Sequence, residues 1–244
     1  MIFSPVDAAG TAIIFVYYGA SAGFLILLSR LFRIPREMLR KTYHLMCALS
    51  IFIALYCFER WWGAACAMAG LFLAAYLVMG PLQKIPAFRV INRLGASGEM
   101  RRQIISVLGV FVLLIAVFWG VLGPASRYHA AVGLVAWGVG DAFAAVFGKR
   151  FGRKRKWLAR LVPKKTLEGA VAMTASSFFG IALTLILLTR TPVILTCLVS
   201  AVLATCGGLV ELVSREGWDT VTVPPAVAFL SLLMVPLMAG LVGF

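Results

Sequence analysis

The sequence predicts an all-α, polytopic membrane fold of about eight transmembrane helices, with both termini on the non-cytoplasmic side. Three observations predict it. First, 62% of the 244 residues are apolar and 13% are charged, with a mean hydropathy of +0.98. An ordinary soluble domain is about 45–50% apolar and about 25% charged. Second, the apolar residues fall into runs of the length that a bilayer-spanning helix requires, about 20 residues each. Third, the segments between those runs alternate in charge. Together these exclude a disordered chain, a small disulfide scaffold and an ordinary soluble enzyme, and leave one domain over residues 1–244 with no room for a soluble second one.

The spans follow in order. The first, at about 9–29, has no Lys or Arg ahead of its apolar run, so MIFSPVDAAG reads as the entry to a span rather than a signal peptide. The second (about 42–58) and third (about 61–80) are separated by the tight turn at Glu59-Arg60, after which Trp61 and Trp62 read as an interfacial aromatic belt. The fourth, about 103–122, begins behind Arg101-Arg102, and the fifth, about 128–147, stops before Lys149-Arg150. The sixth, about 167–188, follows Lys164-Lys165, the seventh, about 192–213, precedes Arg215, and the eighth covers about 223–243.

Twenty of the 23 Lys and Arg residues fall in the odd-numbered loops, and only Arg60, Arg127 and Arg190 fall in the even ones. By the positive-inside rule the odd loops are cytoplasmic. The net charge of +14 is therefore accounted for by topology, and no nucleic-acid partner is expected. The protein is expected in a cell inner membrane if bacterial, and in the endoplasmic reticulum or a plastid if eukaryotic. Cys47, Cys57, Cys66, Cys197 and Cys206 all lie in apolar stretches without CxxC spacing and read as packing residues.

There are nine carboxylates. Asp7, Glu37 and Glu59 sit near span ends; Glu99, Asp141, Glu168, Glu211, Glu216 and Asp219 lie in or beside odd loops. Asp141 falls within span five and Glu211 near the end of span seven, where a charge costs about 2.5–3.5 kcal/mol on insertion scales. Each pairs with a loop arginine or faces a polar cavity. Asp219 lies in the last cytoplasmic loop. Three carboxylates near one plane, opposite an excess of Lys and Arg, are the composition a Mg²⁺–nucleotide site needs.

Loop five, GDAFAAVFGKRFGRKRKWLARLVPKKTLEG, adds to this. Gly140, Gly148 and Gly152 permit the close backbone approach of a phosphate cradle, although no Walker A pattern is present. The run GRKRK reads either as a topology signal with lipid-headgroup attraction or as a phosphate contact. Lys164, Lys165 and Thr166 stand just before span six, where helix N-terminal amides bind phosphate. Glu168 lies in that helix's first turn, favourable for the dipole. His44 opens span two behind Arg40-Lys41; with neither histidine paired to a second His or a Cys, zinc is not expected.

These residues resemble a family, the CTP-dependent lipid-alcohol kinases (phytol kinase, dolichol kinase and CTP-dependent diacylglycerol kinase). The carrying motifs are Arg40-Lys41-Thr42-Tyr43-His44, then Gly140-Asp141-Ala142-Phe143-Ala144-Ala145-Val146-Phe147-Gly148, then Lys165-Thr166-Leu167-Glu168-Gly169. The last is Glu211 followed by Asp219-Thr220-Val221-Thr222-Val223-Pro224, with Thr220 where the family usually has Asn. GASGEMRR at 95–102 resembles a further family loop. The family is itself similar to the phosphatidate cytidylyltransferases. The resemblance implies transfer of the γ-phosphoryl group of CTP to a lipid alcohol (polyprenol, dolichol, phytol or diacylglycerol) at the cytoplasmic face. Asp141 and Asp219 would hold Mg²⁺, with Glu211 as a further ligand or as a base toward the lipid hydroxyl. Lys165, Thr166 and Arg150 would contact phosphates, with Gly140 and Glu168 beside them. His44 and Lys41 would bind phosphate or orient the acceptor. Two alternatives stay open: cytidylyl transfer onto phosphatidate, and a non-enzymatic transporter using Asp141 as an ion site.

Overall fold

A computed structural model describes residues 4–32, 34–82, 97–153, 155, 162, 165–189, 191–215 and 217–242. Among them there are eight helices long and apolar enough to cross a membrane, and no strand. They are α1 (Pro5–Leu31), α2 (Arg36–Tyr56), α3 (Trp61–Leu82), α4 (Ser97–Leu114, continued by the π-helical turn Ile115–Val121), α5 (Tyr128–Phe151), α6 (Leu167–Leu188), α7 (Val193–Val213) and α8 (Asp219–Val242).

The local signals are legible. Ser4 caps α1, its Oγ accepting from the Asp7 amide at 3.1 Å with Pro5 in the first helical position. Thr166 caps α6, its Oγ1 accepting from the Gly169 amide at 3.2 Å. Several helices run further than hydropathy predicts, among them α2, α5 and α8. α2 starts at Arg36 rather than near 42, α5 continues to Phe151 rather than 147, and α8 starts at Asp219 rather than 223. Each extra turn carries charge. Hydropathy scores such turns as loop, but the backbone hydrogen-bond ladder continues through the headgroup region, where charged side chains find water or a charged partner.

α5 is the centre of the bundle. Its span is 61% buried against 22% for α1, and every residue from His129 to Gly138 is buried. It packs against α2, α6 and α8. Missing side-chain volume allows this on three sides. A Cβ on Gly138 would stand 2.2 Å from the Ala48 Cβ of α2, one on Gly140 2.3 Å from the Ser177 Oγ of α6, and one on Gly133 2.3 Å from the Pro224 carbonyl of α8. With the middles of these helices held close, the starts of α2, α6 and α8 lie beside the C-terminal half of α5, and α7 reaches the same place through α6 and α8.

Candidate active site

A cleft of about 660 Å³ opens where the starts of α2, α6 and α8 meet the ends of α5 and α7. Such a volume suits a small-molecule ligand. At its base is Asp141, 2% exposed. One carboxylate oxygen takes the Lys41 ammonium. The other lies 3.3 Å from His44 Nδ1, and since a carboxylate only accepts, the histidine donates from Nδ1. Lys41 and His44 are three residues apart on α2 and so share one face. The imidazole is held from behind by the Trp137 ring, with centroids 5.1 Å apart.

The same ammonium lies 3.9 Å from Oδ2 of Asp219. Asp219 opens α8, and its Oδ1 accepts from the Thr220 amide at 3.0 Å. Lys41 thus stands between two aspartates delivered by different helices. Across the cleft, Lys165 pairs with Glu211. The turn joining α7 to α8 is tied by Ser214 Oγ and Thr222 Oγ1 at 2.7 Å, which fixes Glu211 and Asp219 relative to one another. Lys41, His44, Asp141, Glu211, Asp219 and Thr220 are all buried. Buried charges persist when paired and hydrogen-bonded, and each of the two buried anion–cation centres here meets that condition.

The structure therefore brings together Lys41, His44, Asp141, Lys165, Thr166, Glu211, Asp219 and Thr220. It does not bring three others to the cleft. Arg150 is exposed and places its guanidinium carbon 5.6 Å from the centroid of the Phe151 ring. Gly140 is turned toward Ser177 and Met173, so its missing side chain serves helix packing rather than a phosphate cradle. Glu168 faces the other side of the α5–α6 pair, where it accepts from the Arg153 amide at 3.1 Å and from Arg155 Nη2 at 3.0 Å. The expected three-carboxylate metal set also does not close. Among the described residues no group of three or more His, Cys, Asp and Glu could hold a metal ion, because Glu211 turns to Lys165 while the two aspartates flank Lys41. Lys164, Glu216, residues 95–96 and the side chains of Glu99, Arg101 and Arg102 lie outside the described residues.

Sequence reasoning assigned no site role to Gln103, Lys149 and Arg215, nor to Arg40 beyond its place in the motif, and all four also line the cleft. Lys149 pairs with Glu37. Its signal was available: 141, 145, 148 and 149 recur at helical spacing, so Lys149 shares the face of Asp141 and Arg150 does not.

A family model described as the cytidylyltransferase family matches residues 2–213. The chain is 29% identical over 217 residues to the phytol kinase of Synechocystis sp., covering 85% of this chain and 84% of that one. It is 34% identical over 95 residues to the dolichol kinase of Saccharomyces cerevisiae, covering 38% of this chain and 17% of that one. No solved structure matches.

Proposed function

The chain belongs to the cytidylyltransferase family, and from that premise we propose that it is a kinase moving the γ-phosphoryl group of CTP onto the hydroxyl of a membrane lipid alcohol: polyprenol, dolichol, phytol or diacylglycerol. The observation that carries this reading is the buried arrangement in which Lys41 bridges Asp141 and Asp219, with Lys165 on Glu211 opposite. Phosphoryl transfer asks a protein mainly for positioning and for charge placed around the phosphates. The acceptor class comes from the phytol kinase relative, similar over most of both chains.

The residues divide the work as follows. The acceptor oxygen bonds to the γ-phosphorus, the bond from that phosphorus to the β–γ bridging oxygen breaks, and CDP leaves. Glu211 is placed to take the hydroxyl proton. Lys41, Lys165 and the α6 N-terminus at Thr166 neutralise phosphate charge. His44 holds Asp141 in orientation. The donor chemistry fits Mg²⁺, which is usually held by one or two carboxylates with phosphate oxygens and water completing the shell. Asp141 and Asp219 already share one cation, so they would hold the metal, and it would offset the charge on the β- and γ-phosphates. The eight helices act as one catalytic domain, and the cleft faces the cytoplasm, because 20 of the 23 basic residues lie in the loops and helix ends on its side.

Purified protein with Mg²⁺-CTP and each alcohol in turn is expected to release CDP and a phosphorylated alcohol. No transfer to any of the four acceptors rejects the reading. The family description favours one competitor, cytidylyl transfer onto phosphatidate. That reaction releases pyrophosphate and leaves a CDP-lipid, so the products separate the two.

A further inference from the structure

A second cavity, of about 800 Å³, flanks the α5–α6 pair on the face away from the cleft. On α5 the cleft is lined by residues 141, 145 and 148 and the second cavity by Val139, Phe143 and Phe147; two residues along a helix is a turn of about 200°. Its walls are apolar and open to the surroundings of the bundle, with Phe143, Phe147, Val171, Phe179 and Leu183 all exposed. The trough follows α6 from Glu168 to Leu183, about 22 Å at 1.5 Å per residue.

One end of this trough is charged. It is the end beside Thr166, hence on the cleft's side of the bundle. Glu168 is satisfied there by the Arg153 amide and by Arg155 Nη2. Arg155 is satisfied at one end only. Its Nη1 is buried and has no hydrogen-bond partner among the described residues. A buried donor without an acceptor is costly, and a guanidinium fork matches phosphate oxygens better than any other anion receptor in proteins. Arg153 and Arg155 both stand against the single acid Glu168, so the trough's end carries net positive charge.

We infer that the trough seats an anionic phospholipid from the leaflet on the cleft's side, its phosphate on Arg155 and one acyl chain along Phe143, Phe147 and Phe179. A neutral lipid alcohol gives Arg155 no anion. A second copy of this chain has few to give, since it carries nine acids against 23 bases. The site is separate from the cleft and does not depend on the kinase reading.

Native mass spectrometry of detergent-purified protein tests it, with phosphatidylglycerol and phosphatidylcholine of identical acyl chains as probes. The wild type is expected to retain phosphatidylglycerol about tenfold better, the size of one charge-assisted contact. Arg155→Gln should abolish that preference. Val171→Trp fills the trough from an exposed position and should lower retention of both lipids while the protein stays monodisperse. Equal retention of phosphatidylglycerol by wild type and Arg155→Gln would overturn the inference. So would preferential retention of phytol, or a dimer that Val171→Trp dissociates. The readout needs neither nucleotide nor turnover, so its failure is distinct from failure of the proposed reaction.

Discussion

Lys41 and His44 both end on Asp141, so the proposed reaction depends most on that one side chain. Asp141→Asn keeps the shape and removes the charge. Lipid-phosphate formation is expected to fall by about 10²–10³-fold, as when a preorganised electrostatic contact is lost at an active site. A product assay on monodisperse protein measures this, and near-normal turnover would remove Asp141 from the mechanism. The basic residues separate by the direction each faces. Lys165→Ala, inside the cleft, is expected to raise the KM for nucleotide and lower kcat. Arg150→Ala, beside the Phe151 ring, should leave both within about twofold, as expected for a surface change remote from the site. Equal losses for the two would contradict the arrangement described. The acids were legible as a group because a membrane chain holds so few. Which cation met which acid was not, because neighbouring helix positions differ by about 100° in direction.

Among the elements, α5 sets the positions of the others, and its glycines are the sensitive points. Gly138→Val would push its side chain into Ala48 and the His44 backbone of α2. Overpacking of this kind costs about 1–3 kcal/mol. Here it should also lift Lys41 and His44 from Asp141, so activity should fall together with the thermal midpoint. Gly19→Ala and Gly23→Ala on α1 meet nothing within 4 Å. They are expected to leave activity unchanged and to shift stability by no more than about 1 kcal/mol, toward greater stability, from helix propensity alone. Thermal melts and product assays on the three variants check the contrast. The spans themselves could be read in order from hydropathy. Their ends could not be: Arg36, Arg40 and Lys41 look like loop in a hydropathy window yet lie within α2, because helical hydrogen bonding outlasts the apolar stretch.

At the scale of the molecule, orientation decides which compartment would supply the nucleotide of the proposed reaction. In a cysteine-free background, a membrane-impermeant maleimide should label Ala125→Cys, in the exposed turn before α5, on intact cells. Arg150→Cys, at the cleft's end of α5, should label only after permeabilisation. The reverse pattern would place the cleft outside and sink the cytoplasmic assignment. The assignment follows from the loop charges, a signal spread over the whole chain that no single packing contact carries.

Composition and order along the chain were enough for the eight-helix membrane fold, for the family, and for a short set of acids and bases from which a site could be built. These are properties of local runs and of linear motifs, and they survive without coordinates. Only the tertiary structure decided that Lys41 stands between Asp141 and Asp219, that Glu211 turns to Lys165, and that Glu168 and Arg155 close a trough on the other face. Such choices depend on the rotation of each helix about its axis. The close approaches of Gly133, Gly138 and Gly140 help set that rotation, and helices of nearly uniform hydrophobicity leave little trace of it in their sequence.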